Sequence, residues 1–248
     1  MRTHQIRPVL ALFAAVLSIT ISHAAQASGR LLTINVPKDY PTIQQAIDNA
    51  PVNSIIRVRA GTYEENLSYN HTVLLRSIDG PEVTIIDGTS SGNVATITGP
   101  DGEPDGVRQV IDGFTIRNGL NTDSGGAGVY VSSGASLTLR NCIVRDNVYD
   151  SPGQGGAGVR IFTGTLQAID CVFTGNQTSG EGASILIYNS CCCRINGCLF
   201  ENEGTGPFPA IDIVQAREGS TLDITDSTFR NCTTQGSEIV LSVNSTGT

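Results

Sequence analysis

Between Gly125 and Cys232 the chain repeats itself four times, and this repetition narrows the folds open to it more than any other feature. One unit reads Gly-Gly-Ala-Gly-Val-Tyr-Val from Gly125, then Ser-Leu-Thr-Leu-Arg-Asn, then Cys-Ile-Val-Arg-Asp-Asn as far as Asn147. The next starts at Gly155 and closes at Asn176, a third runs from Gly182 to Asn202, and a fourth from Pro209 to Asn231. Units of 26 to 30 residues, each holding three short alternating runs, are characteristic of solenoids. One unit cannot bury its apolar face alone and has to stack on its neighbours.

Aligning the units turns the repeat into columns. Val129, Val159, Ile185, Ile211 and Ile239 share a register on the first strand, with Val131, Ile161, Ile187, Ile213 and Leu241 two residues on. The second strand contributes Leu137, Leu166, Cys193 and Leu222, then Leu139, Ala168, Ile195 and Ile224. The third contributes Cys142, Cys171, Cys198 and Ser227, then Val144, Phe173, Phe200 and Phe229. Apolar residues two apart lie on one face of a strand, and the same face recurs in every unit. The expected fold is all-β: a right-handed, single-stranded parallel β-helix. At about 28 residues per turn, Ile55 to the end accommodates about seven rungs. Asn141, Asp170, Gly197 and Asp226 precede the third strand, where a bend favours Asx or Gly. Asn147, Asn176, Asn202 and Asn231 read as one column closing that strand.

Ahead of the repeats the pattern changes twice. Residues 1–27 read as a signal peptide: Arg2 and Arg7, an apolar run from Val9 to Ser22, and Ala25-Gln26-Ala27 as cleavage site. Residues 28–52 read as a cap. Leu32 to Val36 alternates like a strand, and Ile43, Ala46, Ile47 and Ala50 follow a helical stripe. Thr42 and Gln45 have capping-box spacing, and Pro51 stops the helix. This short amphipathic helix would cover the open first rung of the domain spanning 53–248. The leader carries two of the 15 basic residues and none of the 23 acidic ones. The remaining acidic chain speaks against nucleic acid and anionic membranes as partners, and no second apolar stretch is long enough to span a bilayer.

The run Val36-Pro-Lys-Asp-Tyr-Pro-Thr-Ile-Gln-Gln-Ala-Ile-Asp-Asn-Ala50, followed by Gly61-Thr-Tyr-Glu-Glu65, resembles the opening of the pectin-lyase-like right-handed β-helix superfamily. The Gly155, Gly156, Ala157, Phe173, Asn176 rhythm is similar to the repeats of polymorphic outer-membrane proteins. The first resemblance implies a groove along the outward face of the first strands, which here carries Tyr130, Arg160, Leu186, Asp212 and Val240. Tyr130, Arg160 and Asp212 are the substrate-binding candidates, and Asp212 and Arg160 the candidates for acid–base chemistry. The catalytic motifs of pectin methylesterases (Gln-Asp-Thr-Leu, Asp-Phe-Ile-Phe-Gly, Gly-Arg-Pro-Trp) and of polygalacturonases are absent, and Lys38 lies at the cap.

Other chemistry-bearing residues read first as structure. Cys142, Cys171, Cys198 and Cys193 fall in core columns, where cysteine acts as a small hydrophobe. Within Cys191-Cys192-Cys193, alternation turns Cys192 outward and Cys193 inward, and no histidine stands beside them, which argues against zinc. His71 reads as a surface turn residue. No cofactor is called for. Asp101, Glu103 and Asp105 are the oxygen donors the chain offers to calcium. The chain also stops partway through a rung, which leaves an edge open to self-association or to a missing carboxy-terminal region. The reading that follows is a secreted, periplasmic or cell-surface protein of non-catalytic type that binds extracellular polysaccharide or a cell-surface component. The alternatives are a polysaccharide lyase, hydrolase or esterase, and a structural or adhesive fragment of a longer surface protein.

Overall fold

Each inward column found in the sequence is one line of a parallel β-ladder. The computed structural model describes residues 31–99, 108–123, 125–151, 155–179, 182–188, 192–202, 210–214, 221–232 and 241–244, with backbone alone for residues 108, 212–214 and 241–244. Three long parallel sheets form the walls. Sheet I, of seven strands, runs from Leu67–Tyr69 to Leu241–Asn244. Sheet II, of eight, runs from Thr33–Val36 to Thr221–Thr225, and sheet III, of seven, from Gly61–Glu64 to Thr228–Arg230. The chain visits I, II and III in turn and rises one strand per circuit, so every strand pairs with its counterpart one repeat away. Val129↔Val159↔Ile185↔Ile211, Leu137↔Leu166↔Cys193↔Leu222 and Val144↔Phe173↔Phe200↔Phe229 are in register, as the repeat requires.

Burial follows from the alternation. Val129, Val159, Ile185, Leu166 and Phe173 are all fully buried, in one continuous apolar cluster with the cap helix. Phe200 stacks face to face between Phe173, at 4.8 Å, and Phe229, at 4.6 Å. The turn column also holds. Asn141, Asp170 and Asp226 take φ of 49, 52 and 51°, and Gly197 takes 65°. This left-handed conformation is cheapest for Gly and tolerable for Asx, which explains the residue types.

The asparagine column divides in two. Asn202 and Asn231 are exposed, left-handed turn residues with φ of 55 and 53°, aligned with Asn118 and Asp146. Asn147 and Asn176 stand one position later and point inward, at 0 and 1% exposure. Asn147 Nδ2 donates to Asn176 Oδ1 at 3.0 Å and to the Ile116 carbonyl at 3.2 Å, while its Oδ1 accepts from the Gly119 amide at 2.9 Å. Asn176 Nδ2 donates to the Val144 carbonyl at 2.9 Å. A buried amide can reach the unpaired backbone at a corner from inside, which an apolar residue cannot.

A second correction falls at the last rung. Ile211 pairs with Leu241 and Asp212 with Ser242, two residues beyond the expected Ile239 and Val240. A two-residue slip keeps every side chain on its face, so alternation alone cannot exclude it. The sequence also showed no sign of a short fourth ladder, Leu120–Asn121, Val148–Tyr149 and Gln177–Thr178, between sheets III and I.

The cap forms as expected. Helix Ile43–Asp48 buries Ile43, Ala46 and Ile47, and Thr42 Oγ1 accepts from the Gln45 amide at 3.1 Å. The Glu65 carboxylate accepts from the Ile43 and Gln44 amides at 2.9 and 2.8 Å. Gly61 to Glu65 thus ties the first rung to the helix by satisfying its orphan amides and complementing its dipole.

One inward residue fits its place badly. Gln109 pairs in register with Leu137 and is fully buried, yet neither Nε2 nor Oε1 has a partner among the described residues. A buried amide left unmatched costs about 1–3 kcal/mol. Gln109→Met, close in length and apolar, is expected to raise the unfolding free energy by about 1–2 kcal/mol. Urea denaturation measures it, and an unchanged or lower midpoint would refute the assignment of an unmet amide.

Candidate functional site: the outward face of sheet I

The outward column of sheet I runs Thr96–Tyr130–Arg160–Leu186–Asp212–Ser242 across successive rungs. Its members are spaced about 4.8 Å apart along the axis. Tyr130 and Arg160 are therefore neighbours, and Asp212 follows Arg160 two rungs on; its side chain lies outside the described residues.

This face is not an open groove. Arg160 is 5% exposed and Leu186 is fully buried, although both point away from the core. The glycine-rich segment entering each first strand accounts for this. Its backbone runs so close that a Cβ on Gly156 would stand 2.3 Å from the Val159 carbonyl oxygen and 3.0 Å from Leu186 Cβ. A Cβ on Gly126 would likewise lie 3.2 Å from Arg160 Cβ. The repeated Gly-Gly-Ala-Gly is thus a close-approach motif that lays backbone against the next rung's outward side chain.

Arg160 is held between aromatic rings. Its guanidinium carbon lies 5.7 Å from the Tyr130 ring centre and 5.5 Å from that of Phe162. Phe162 in turn stacks on Tyr188, with centroids 5.3 Å apart and planes 4° from parallel. Phe162 and Tyr188 follow Ile161 and Ile187, so they form a second outward column beside the first. Phe162 is 36% exposed, so part of the pair reaches solvent. The sequence reading stopped one residue short of this column. The signal was there: two aromatic residues at equivalent positions of adjacent repeats.

The remaining candidates are placed as follows. Of the six described cysteines, Cys142, Cys171, Cys193, Cys198 and Cys232 are buried and Cys192 is exposed. The adjoining Cys142 and Cys198 thiols, together with burial, push Cys171 well above the ordinary thiol pKa, which keeps it protonated and unreactive in the core. His71 is half-buried, more enclosed than a surface turn residue, and its Nε2 has no partner among the described residues. Among the described residues no group of three or more His, Cys, Asp or Glu side chains is arranged to hold a metal ion. Asp101, Glu103, Asp105, Cys191 and the leader 1–27 lie outside the described residues. No helix among those residues is long and apolar enough to cross a membrane.

A three-walled parallel solenoid with a stacked interior is the geometry on which family membership turns. Residues 105–248 match the family described as a right handed beta helix region. The chain belongs to this family. The right-handed parallel β-helix expected from the repeat is the fold of this protein. No curated protein matches the sequence. Among solved structures, the pectin methylesterase from carrot is 16% identical, with 81% of this chain and 64% of that one covered and a TM-score of 0.49. PemA from Erwinia chrysanthemi is also 16% identical, covering 80% of this chain and 66% of that one, at a TM-score of 0.47. The Aspergillus niger pectin methylesterase is 18% identical over 85% of this chain and 89% of that one, at 0.36. The chain spans just under two thirds of the length of the carrot and Erwinia enzymes.

Proposed function

We propose that this right-handed β-helix protein is exported and binds a polysaccharide along the outward face of sheet I without altering it. The observation that carries the reading is the stacked, partly exposed Phe162–Tyr188 pair beside Tyr130. Aromatic faces offer sugars a flat apolar surface while the surrounding polar groups orient the hydroxyls. A rigid solenoid presents such faces at fixed rung spacing, as an extended ligand requires.

The test uses the mature chain with a panel of plant, algal and bacterial polysaccharides, with and without calcium, scoring both retention and products by mass spectrometry. Retention of at least one polysaccharide with its mass unchanged is expected. Phe162→Ala should weaken that retention about tenfold, the loss of one stacking contact, with the β-sheet circular dichroism of the folded chain retained. Shortened, unsaturated or de-esterified products would overturn the non-catalytic reading and make Asp212 and Arg160 the residues to substitute first. Retention unaffected by Phe162→Ala would remove sheet I as the binding face.

A further inference from the structure

Three thiols stand in line inside the corner between sheets II and III. Cys142, Cys171 and Cys198 each precede a third strand, and the strands that follow pair in register as Ile143↔Val172↔Leu199. The backbone ties the column together. The Val172 amide donates to the Cys142 carbonyl at 2.8 Å, and the Leu199 amide to the Cys171 carbonyl at 2.9 Å. All three side chains point inward, at 1, 1 and 2% exposure. The Cys171 thiol shares hydrogen bonds with those of Cys142 and Cys198, so the sulfurs are neighbours along the column. Phe114 fills the same place one rung before Cys142 and Ser227 one rung after Cys198, which isolates the three.

Spacing decides which of them can pair. Residues paired on consecutive rungs stand about 4.8 Å apart. A disulfide spans about 4.4–6.8 Å between Cα atoms and is not made beyond about 7 Å. Cys171 therefore reaches Cys142 on one side and Cys198 on the other, while those two, about 9.6 Å apart, cannot reach each other. We infer that Cys171 is the obligatory member of an inter-rung disulfide, joined to Cys142 or to Cys198 when the chain folds under oxidising conditions. The bond staples two successive rungs, which otherwise hold each other by nearest-neighbour packing alone. It is independent of what sheet I binds. The oxidant is a small disulfide such as glutathione disulfide. One column thiolate attacks it and displaces a glutathione thiolate; a second attacks the protein sulfur of the mixed disulfide and displaces the other. One protein S–S bond forms, one glutathione S–S bond breaks, and the two thiol protons leave on two glutathione molecules. Burial shuts the finished column to reagents, so exchange runs while the rungs assemble and the bond is then sheltered.

The experiment refolds the reduced, urea-unfolded mature chain with glutathione disulfide or with reduced glutathione. The soluble product is alkylated in urea, digested and mapped by mass spectrometry. Peptides joining Cys171 to Cys142 or Cys198 are expected from the oxidised sample only, with the loss of two alkylated thiols from the column. Cys142→Ala should keep the Cys171–Cys198 bond, and Cys198→Ala the Cys142–Cys171 bond. Cys171→Ala should abolish bonding within the column, and Cys171→Val, which fills the site better, gives the same reading should the alanine variant fold poorly. The oxidised chain should keep its bond in dithiothreitol while folded and lose it once urea is added. Three alkylated column thiols in the oxidised chain would overturn the inference without recourse to any variant. A Cys142–Cys198 bond in Cys171→Ala would also overturn it, as would capture of column cysteines by Cys191, Cys192, Cys193 or Cys232. Reduction as fast in the folded chain as in urea would put the bond outside the core and sink the proposal.

Discussion

Phe200→Ala is expected to lower the unfolding free energy by about 3–5 kcal/mol, the range for removing a fully buried aromatic side chain. Phe200 is 0% exposed and is sandwiched between Phe173 and Phe229, so truncation empties the middle of a three-ring stack. Each lost ring pair adds about 0.5–1.5 kcal/mol to the burial cost. The damage should be local, because in a solenoid each rung contacts only its neighbours. Urea denaturation gives the total. Hydrogen exchange should show Leu199–Glu201 and Thr228–Arg230 losing protection well before Ser54–Val58. A loss under about 1 kcal/mol would contradict the burial of Phe200 in a packed stack.

Asn147→Ala is expected to cost about 2–3 kcal/mol, although it removes only a small polar side chain. The substitution strands the Gly119 amide inside a corner closed to water and takes one bond each from the Ile116 carbonyl and Asn176 Oδ1, which still accepts from the residue 147 amide. Each buried group left without a partner costs about 1–3 kcal/mol. Asn231→Gly is the contrast. That residue is exposed, its Nδ2 donates to Asn202 Oδ1 at 3.2 Å, and its φ of 53° is one that glycine adopts freely. It should change stability by no more than about 0.5 kcal/mol. Equal effects at the two sites would contradict the division of the asparagines into an inward and an outward column.

These two asparagines show where a one-dimensional reading loses accuracy. Asn147 and Asn231 both close a third strand, and by eye they align. The left-handed residue separates them. It is Asp146 in one repeat and Asn231 itself in the other, at φ of 54 and 53°. A turn that consumes an Asx in one rung and follows with another in the next looks like a single column until the dihedral angles are known. The last rung misled in a related way: Leu241 and Val243 occupy positions expected for Ile239 and Leu241, because a slip of two residues keeps the apolar face intact. The cap was easier to read. Thr42, Gln45 and the Ile43, Ala46, Ile47 stripe act over a few residues, and local signals survive without tertiary context. The hydrogen bonds that bring Glu65 to the helix amides cross 21 and 22 residues, and nothing local announces them.

What the amino-acid order determined by itself is the body of the rung: which apolar residues face inward, where the bend before the third strand falls, and that the units from Gly125 to Asn231 stack in register. Those features follow from strand alternation and from the few residue types that tolerate a left-handed turn, both legible one repeat at a time. Tertiary structure alone decided what the outward residues meet. Arg160 and Leu186 are placed outside by alternation, and the Gly-Gly-Ala-Gly backbone of neighbouring repeats then closes over them. Phe162 keeps an exposed edge beside them. Exposure on the outer wall depends on the path of a different stretch of chain, and that path is fixed only when the repeats have packed against one another.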